Sequence, residues 1–290
     1  MSKETKERIG IAIVDKPAGL TSHDVVAKAR KIFETRKVGH SGTLDPDATG
    51  VLILGVGRAT RLLQFLTRLP KSYKGEIVFG KETSTLDSSG EIIGTHDMSE
   101  LKFSEVREAA AKFLGEIEQV PPMVSAVRVG GRRLHEIARE GGEVDRPPRT
   151  VSVKRFEVNP TSDPLVYEVS VDCSSGTYIR SLAADLGTSL GGGAHLQNLR
   201  RTAIGSFEES EAVSIEEVIL RDPIAGMRDF EMVEVSEEVE KEVTFGKILE
   251  KDRLGVNNSG PWAVTNKEGR LLAVYDNYGE KIKPTVVLVG

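Results

Sequence analysis

Two kinds of hydrophobic periodicity alternate along this chain, and their alternation limits its fold more than any other feature. Segments 151–158 (VSVKRFEV) and 165–173 (LVYEVSVDC) place apolar residues at every second position, which is the period of a half-buried β-strand. Residues 22–33 instead space their apolar side chains three and four positions apart, which predicts an amphipathic helix. The pattern predicts a mixture of helices and strands, but it cannot give the order of the strands.

Local signals extend this prediction along the chain. We expect Ser22 to be the N-cap of the first helix, and the spacing of Ser214 and Glu217 predicts a capping box that opens a late helix. Short β-like runs dominate after about residue 230, so we expect a large domain over residues 1–230 and a small β-rich domain over residues 231–290. The other predicted elements are strands at Ile9–Val14, 51–56 and Tyr73–Phe79, helices at Thr60–Arg68 and from Ser104 to Gly115, and a short helix that ends at Gly187.

Cysteine content and the length of apolar runs define the class of protein. The chain has 290 residues and a single cysteine, Cys173, which excludes an internal disulfide and fits a reducing compartment. Its apolar runs are much shorter than the roughly 20 residues that a membrane-spanning helix needs. The first ten residues, MSKETKERIG, are charged and lack the apolar stretch of a signal peptide. We therefore expect a soluble protein of the cytoplasm.

The distribution of charge matters more than its sum. The net charge of −5 argues, taken alone, against a nucleic-acid partner, whose phosphates require basic contacts. However, residues 1–80 carry 14 basic and 8 acidic side chains, and residues 128–160 carry 8 and 5, whereas the other segments are acidic. The positive charge is concentrated in two stretches, so we expect RNA to bind one face of the protein.

The segment Gly39–Leu52, GHSGTLDPDATGVL, is the most unusual in the chain. Its glycines let the backbone approach another surface closely. Pro46 restricts Asp45 to extended backbone, so that the Asp45 carboxylate points in a defined direction. Asp-Pro is also a common start of a turn, and a purely structural interpretation stays open from the residue types alone.

Two further segments could complete a site around Asp45. The segment GTYIR, residues 176–180, brings Tyr178 and Arg180 close together, and an arginine can hold a carboxylate in its ionised form. Tyr73 lies between two lysines on a predicted strand and could stack on a base. The structural alternatives are an ordinary surface cation at Arg180 and a half-buried strand tyrosine at Tyr73.

Metal and cofactor chemistry have little support in the sequence. His195 has no second ligand at the spacing of a zinc site, and His40 is an isolated loop histidine. Cys173 ends an alternating strand and is interpreted as a core residue. No phosphate-binding loop or dinucleotide fingerprint follows a strand in the required way. We therefore predict neither a cofactor nor a metal.

Five blocks follow one another in the chain: DKPAGLTSHDVV (15–26), GHSGTLDPDATGVLILGVGRATRL (39–62), KSYKGEI with T-x-T-x-D (71–87), QVPPMVSAVRVGGRRLHEIAREG (119–141), and CSSGTYIRSLAADLG with GGGAHLQNLRRTAIGSF (173–207). In this order they resemble the motifs of the TruB family, the bacterial tRNA pseudouridine-55 synthases. The resemblance covers about residues 9–230, and the tail is similar to the small C-terminal domain of that family. Val124 and Arg128 depart from the family pattern, in which an aromatic residue and a lysine are more usual.

The resemblance implies roles for individual residues. Asp45 corresponds to the catalytic aspartate, Arg180 to its ionic partner, and Tyr73 to the tyrosine that stacks on the target uracil. The residues that it places around the uracil or beneath the catalytic loop are Tyr178, Leu199, Lys16 and Pro17. The residues expected to bind RNA are His40, which enters the gap left by the extruded nucleotide, and Arg61, Arg128, Arg132, Arg133, Arg200 and Arg201.

The resemblance also implies a fold and a reaction. The fold class is α+β, with a mixed, mostly antiparallel central sheet flanked by helices, an RNA-binding insertion at about residues 121–150 and a small PUA-like β domain. The reaction isomerises uridine to pseudouridine at position 55 in the T-loop of tRNA, and the target nucleotide must be flipped into a pocket. Because an arginine beside a carboxylate favours its ionised form, we expect Arg180 to lower the pKa of Asp45.

The expected partner is tRNA, recognised at its T-arm by a monomer with no obligate protein partner and no membrane. Two alternatives stay open. The first is a non-catalytic module that binds or folds tRNA on the same fold, which would have no need of Asp45 and Arg180. The second is a guide-RNA-dependent synthase of the dyskerin type, which relies on partner proteins.

Overall fold

The computed structural model describes residues 8–125, 128, 129, 131–133, 137, 140, 142 and 144–289. The strands in this part of the chain are β1 (Gly10–Lys16), β2 (Val38–His40), β3 (Thr49–Val56), β4 (Lys71–Phe79), β5 (Lys81–Thr83), β6 (Ile92–Thr95), β7 (Gly115–Gln119), β8 (Arg128–Val129), β9 (Arg132–Arg133), β10 (Arg149–Pro160), β11 (Val166–Cys173), β12 (Ala194–Ile204), β13 (Phe207–Glu208), β14 (Glu231–Glu234), β15 (Leu249–Glu250), β16 (Trp262–Thr265), β17 (Leu271–Tyr278) and β18 (Lys281–Val287).

The α-helices of the described residues are α1 (Ser22–Ile32), α2 (Leu63–Leu66), α3 (Phe103–Ala111), α4 (Ile179–Ser189), α5 (Glu237–Thr244) and α6 (Lys251–Leu254). Short 3₁₀ helices cover Gly57–Leu62, Glu209–Glu211 and Pro223–Met227. Among the helices described, none is long and apolar enough to cross a membrane.

A nine-stranded sheet forms the centre of the described structure. Its main path runs β1-β3-β12-β4-β11-β10-β7, with β2 beside β3 and β13 beside β12. The segments with period two are the antiparallel neighbours β10 and β11, and the pair β3–β12 is parallel. The sheet is therefore mixed and mostly antiparallel, as the resemblance predicts.

The apolar strands β1 and β3 are buried on both faces. Ala12, Val14, Leu52 and Leu54 pack against α1, whereas the alternate side chains, such as Ile53, join a second cluster that includes α2 and part of the C-terminal sheet. Because side chains alternate between the faces of a strand, burial on both faces explains why the run VLILGV contains no polar side chain.

The parallel pair β3–β12 joins distant parts of the chain next to the loop that carries Asp45. Thr49 pairs with Arg200, and Gly50 pairs with Arg201. Gly50 has a φ of 102°, and a Cβ at this position would lie 2.1 Å from the carbonyl oxygen of Arg201. This position therefore requires glycine, since any side chain would separate the two strands.

The C-terminal part of the described chain forms its own five-stranded sheet, in the order β14-β16-β17-β18-β15. It packs on the central sheet through a shared apolar cluster, to which Ala263, Val274 and Leu288 contribute. Arg58 and Arg61 also donate hydrogen bonds to the carbonyl oxygens of Leu288 and Val287. The second sheet is therefore docked firmly on the first.

Three sequence predictions of helix boundaries need correction. The N-cap of α1 is Thr21, not Ser22, because the Thr21 hydroxyl accepts the Asp24 N–H and Asp24 accepts the Thr21 N–H in return. No helix follows Ser214, whose hydroxyl donates to the Glu217 carboxylate, so that the expected cap forms a turn. The predicted helix at Thr60–Arg68 starts as the 3₁₀ helix and is α-helical over α2 alone.

Candidate active site

Asp45 lies on the loop between β2 and β3, and the residues on both sides of it are fixed. The Ser22 hydroxyl accepts a hydrogen bond from the Leu44 N–H at 2.9 Å and donates to the Leu44 carbonyl at 3.2 Å. The Pro46 carbonyl accepts from the Gly19 N–H at 2.9 Å. Ser22 therefore positions the loop that carries Asp45 instead of capping a helix, a role that sequence reasoning missed.

Lys16 joins this loop to the segment that follows β1. Its side chain is fully buried, and its Nζ donates to the carbonyl oxygens of Pro17 at 2.9 Å, Leu20 at 2.6 Å and Pro46 at 2.9 Å. Burial lowers the pKa of Lys16 to about 8, although the charge of Asp45 opposes the shift. Lys16 therefore supports the loop that carries Asp45, and the Pro17 carbonyl is one of the groups that hold the lysine in place.

Arg180 meets Asp45 in a two-point contact. The Arg180 Nε lies 3.0 Å from Oδ2 of Asp45, and Nη2 lies 3.3 Å from Oδ1. The arginine side chain is 5% exposed, so it is not the surface cation of the structural alternative. It lies in the first turn of α4, and the contact is of the kind in which both carboxylate oxygens accept from one guanidinium.

Arg180 also connects two other segments to Asp45. Its Nη1 donates to the Thr85 carbonyl at 2.9 Å and lies 3.4 Å from Oδ2 of Asp87, and its Nη2 donates to the Val124 carbonyl at 2.8 Å. Asp87 was not predicted as a site residue, although it is the last residue of the T-x-T-x-D block that the sequence analysis singled out. Two carboxylates therefore share one buried guanidinium.

The pKa of Asp45 is raised above its ordinary value, contrary to the sequence prediction. Burial is the largest cause, Arg180 lowers the pKa and the charge of Asp87 raises it further. The Asp45 side chain is 39% exposed, and it lines the cavity described below. The prediction was wrong because it counted the arginine and left out both the depth of the site and the second carboxylate.

One cavity of about 270 Å³ is lined by six of the predicted site residues: Asp45, Tyr73, Tyr178, Arg180, Leu199 and Arg201. Tyr73 is 8% exposed, so it is a buried strand residue at the edge of the cavity. The pairing of β12 with β4 shifts register between Gln197 and Arg200, and Leu199, which lines the cavity, lies within this irregular stretch. The other lining residues are Gly42, Thr43, Leu44, Thr67, Lys71, Ser125, Ser175, Gly176, Thr177 and Ile179.

A second cavity of about 270 Å³ lies on the other side of the ion pair. It shares Asp45, Arg180 and Leu199 with the first. Its remaining lining residues are Pro46, Asp47, Ala48, Thr85, Asp87, Ser88, Ser89, Val124, Leu196, Gln197 and Asn198. The ion pair therefore stands where the two cavities meet.

His40 lies behind the catalytic loop at the end of β2. Its Nδ1 accepts a hydrogen bond from the Gly42 N–H at 3.3 Å, and its ring meets that of His23 edge to face at 5.8 Å between centroids. Burial lowers the pKa of His40, and the nearby His23 acts in the same direction. A ring nitrogen that accepts a hydrogen bond carries no proton, so this contact and the lowered pKa both favour the imidazole form with its proton on Nε2.

Arg200 and Arg201, both predicted to bind RNA, form hydrogen bonds within the protein. Arg200 contacts both carboxylate oxygens of Asp15 at 2.9 Å and donates to Glu209 at 2.7 Å. Arg201 is 1% exposed and donates to the carbonyl groups of Val51 and Gly42. Their sequence position in a basic block did not reveal these partners, because the partners come from distant segments.

The remaining predicted RNA contacts are divided between two regions. Arg61 is exposed and donates to the Val287 carbonyl, as described above. Arg132 forms an ion pair with Glu140 at 2.6 Å. The side chains of Arg128 and Arg133 lie outside the described residues, as does much of the predicted insertion.

Two residues considered for other chemistry are structural. His195 is 7% exposed and its Nδ1 lies 3.0 Å from the Lys81 carbonyl. Cys173 is buried in the core, and burial raises the pKa of its thiol to about 11. Within the described residues, no cluster of histidine, cysteine and acidic side chains could hold a metal ion.

Lys71 is a cavity residue that sequence reasoning left as a mere neighbour of Tyr73. It is 6% exposed, and its Nζ donates to the carbonyl groups of Thr67 and Leu69, both at 2.7 Å. Burial lowers its pKa to about 8. The sequence signal was its position two residues before Tyr73, which places both side chains on the same face of β4.

Comparison with known proteins identifies relatives along the whole chain. The model of the TruB family pseudouridylate synthase N-terminal domain matches residues 30–179, and that of the tRNA pseudouridylate synthase B C-terminal domain matches residues 180–221. The chain is 41% identical to tRNA pseudouridine synthase B of Mycobacterium tuberculosis, over 96% of this chain and 95% of that protein. It is 39% identical to the protein of the same name from Streptococcus thermophilus, over 96% and 98% of the two chains.

Solved structures give the same fold. A Cbf5-Nop10-Gar1 complex contains a chain that matches with a TM-score of 0.71 at 26% identity, over 97% of this chain and 84% of that one. An H/ACA RNP bound to a substrate RNA contains another, with a TM-score of 0.71 at 24% identity.

Proposed function

This chain belongs to the TruB family of pseudouridylate synthases, and from this we propose that it converts uridine 55 in the T-loop of tRNA to pseudouridine, with Asp45 as the catalytic residue. The Asp45–Arg180 ion pair at 3.0 Å, on a cavity that Tyr73 also lines, carries the proposal. A cavity of about 270 Å³ suits one flipped-out nucleoside, since it is near the lower end of the roughly 300–1,000 Å³ range of ligand pockets.

The reaction is an isomerisation in which no electron is gained or lost. The N1–C1′ bond of the uridine breaks, the uracil turns, and a C5–C1′ bond forms while C5 loses a proton and N1 gains one. An ionised carboxylate can attack the sugar, attack the uracil ring or stabilise a cationic sugar. Each of these roles needs the negative charge on Asp45.

Arg180 stabilises the negative charge on Asp45. Burial favours the neutral form of Asp45, and the guanidinium opposes this effect from 3.0 Å away. Without the arginine, the carboxylate would be buried with no cation at contact distance and would take up a proton. Tyr73, Tyr178 and Leu199 provide apolar or aromatic surface for the base in the same cavity.

The experiment is to incubate purified protein with an unmodified tRNA transcript and to map pseudouridine by mass spectrometry. We expect pseudouridine at position 55 with the natural protein, and none with Asp45→Asn, which still binds the transcript. Asp47→Asn is the matched control, since Asp47 follows Pro46 in the same loop. Full product formation by Asp45→Asn would refute the catalytic role of Asp45.

The same assay separates the alternatives. A non-catalytic tRNA-folding module would bind the transcript and form no pseudouridine. A guide-RNA-dependent enzyme would need added RNA and partner proteins, whereas we propose that this chain acts alone, as a monomer in the cytoplasm and without a cofactor. Activity of the purified chain on tRNA alone would exclude both alternatives.

A further inference from the structure

The segment 120–148 leaves the central sheet and returns to it at a single point. Gln119, the last residue of β7, pairs in register with Arg149, the first residue of β10. Both ends of the segment therefore meet at one edge of the sheet, as in a loop with a closed neck. We call Gln119, Val120 and Arg149 the neck.

The neck is fastened to the start of α4, the helix that carries Arg180. The Ser181 hydroxyl donates to the Val120 carbonyl at 3.3 Å. The strongest tie is the side-chain amide of Gln119. Its Nε2 donates to the Tyr178 carbonyl at 3.0 Å, and its Oε1 accepts from the Tyr178 N–H at 2.7 Å. Gln119 is 2% exposed, so water does not compete for these bonds.

We propose that Gln119 is a positioning residue for the reaction. Tyr178 is the N-cap of α4, and no side chain of its own caps the helix. The Gln119 amide therefore fixes the main chain from which the Tyr178 and Arg180 side chains enter the cavity. Because Gln119 also forms the neck, the position of Arg180 is coupled to the segment 120–148, whose Val124 carbonyl accepts from the same arginine. The catalytic consequence rests on the proposed function.

The first test is Gln119→Met, which keeps the length of the side chain and removes both hydrogen bonds. We expect kcat to fall about 10- to 100-fold, the scale of a small misplacement of reacting groups, with the KM for tRNA changed less than about threefold. Hydrogen exchange at the amides of residues 178–181 should become faster. Gln64→Met is the control, because Gln64 also donates to a backbone carbonyl, that of Arg61, on the exposed surface.

The second test is Gln119→Glu, which separates positioning from packing. A protonated carboxyl group can both donate to the Tyr178 carbonyl and accept from its N–H, whereas an ionised one can only accept. Burial raises the pKa of such a carboxyl group. The charged residues near position 119 are its sequence neighbour Glu118, its strand partner Arg149, Arg146, which donates to the Pro121 carbonyl, and Arg180, two residues after Tyr178. We expect the activity of Gln119→Glu, relative to the natural protein, to rise as the pH falls from about 8 to about 5.5, while Gln119→Met shows no recovery.

The outcomes are distinct. Unchanged kcat and unchanged exchange in Gln119→Met would overturn the proposal, as would a Gln119→Glu variant with no recovery at low pH. If Gln119→Met fails to fold, the pH dependence of Gln119→Glu decides alone. If the natural protein forms no pseudouridine, the proposed function fails, and exchange at residues 178–181 still tests whether Gln119 holds Tyr178 and the start of α4.

Discussion

The buried cations around the cavity and the Asp45 loop form different contacts from the exposed cations of the C-terminal part of the chain, residues 231–289. Lys16, Lys71 and Arg201 donate to backbone carbonyl oxygens, and Arg180 divides its donors between carbonyls and carboxylates. In the C-terminal part, Arg253 on α6 pairs with Glu238 and Glu242 on α5, and Lys281 pairs with Glu250. A carbonyl group accepts a hydrogen bond without cancelling the charge of the donor, whereas each of these carboxylates neutralises a positive charge.

This difference reconciles the acidic net charge of the protein with the RNA ligand that we propose. The net charge of −5 is an average over surface ion pairs and a cavity wall with buried cations. Buried charges are screened little by salt, whereas exposed pairs are screened strongly. The four predictions below remove cations of the two kinds and are ordered from the largest expected effect to the smallest.

Replacing the cavity arginine should have the largest effect. We expect Arg180→Met to lower kcat about 10²- to 10³-fold, since it leaves the Asp45 charge without its donor. The pKa of Asp45 is already raised by burial, and loss of the arginine raises it further. The acid limb of the pH–rate profile should therefore move to higher pH, with residual activity recovering as the pH rises.

Arg155→Met is the matched control for that experiment. Arg155 makes the same two-point contact with Asp172, at 2.8 and 3.1 Å, but its side chain is 41% exposed. We expect pseudouridine formation at the natural rate. A similar loss of activity in both variants would show that the effect of Arg180→Met is a general loss of structure.

Replacing Lys16, the buried lysine beneath the Asp45 loop, should lower stability more than it lowers activity. Lys16→Met removes the donor of the Pro17 and Leu20 carbonyl groups and one of the two donors of the Pro46 carbonyl, which keeps the Gly19 N–H. We expect the free energy of unfolding in urea to fall by about 2–4 kcal/mol, the scale for several buried polar groups left unsatisfied. An unchanged unfolding free energy would contradict a supporting role for Lys16.

The lowered pKa of Lys71 predicts a pH-dependent stability. Burial brings this pKa to about 8 in the folded chain, whereas the ordinary value of 10.5 applies once the chain unfolds, so between these values the unfolded chain binds more protons. Stability due to this group therefore rises as the pH increases through this window. Lys71→Met should reduce the rise in unfolding free energy by about 2 kcal/mol. Lys74→Met, on the exposed face of the same strand, should keep the rise of the natural protein.

Replacing an exposed cation of the C-terminal part of the chain should have the smallest effect. Arg253→Ala removes ion pairs with Glu238 and Glu242 at the surface, where water and salt already screen the charges. We expect the urea midpoint and the rate of pseudouridine formation to equal those of the natural protein within error. A destabilisation as large as that of Lys16→Met would erase the distinction between the two regions.

The sequence predicted the pieces of the site better than their environment. Asp45, Arg180 and Tyr73 were found from short blocks, because the chemistry of each is carried by its own side chain and nearest neighbours. The direction of the Asp45 pKa shift was predicted wrongly, because it depends on burial and on Asp87, which lies in a different segment of the chain.

The same limit applies to elements and partners. The period-two strands β10 and β11 were predicted because their pattern is local. The helix after Ser214 was wrong, because the same Ser-x-x-Glu spacing also suits a turn in which the two side chains bond to each other. The carbonyl acceptor of Arg201 in Val51 lies 150 residues away in sequence, beyond the reach of any local pattern.

The parallel pairing of β3 with β12 has a consequence for the order of synthesis. Thr49 and Gly50 leave the ribosome long before their partners Arg200 and Arg201, and Asp45 precedes Arg180 by 135 residues. Contacts between such distant residues form late and slowly in folding. A nascent chain that has just exposed Asp45 therefore has no pocket around it, and the cavity cannot form until the chain has been made as far as Arg201, which lines it.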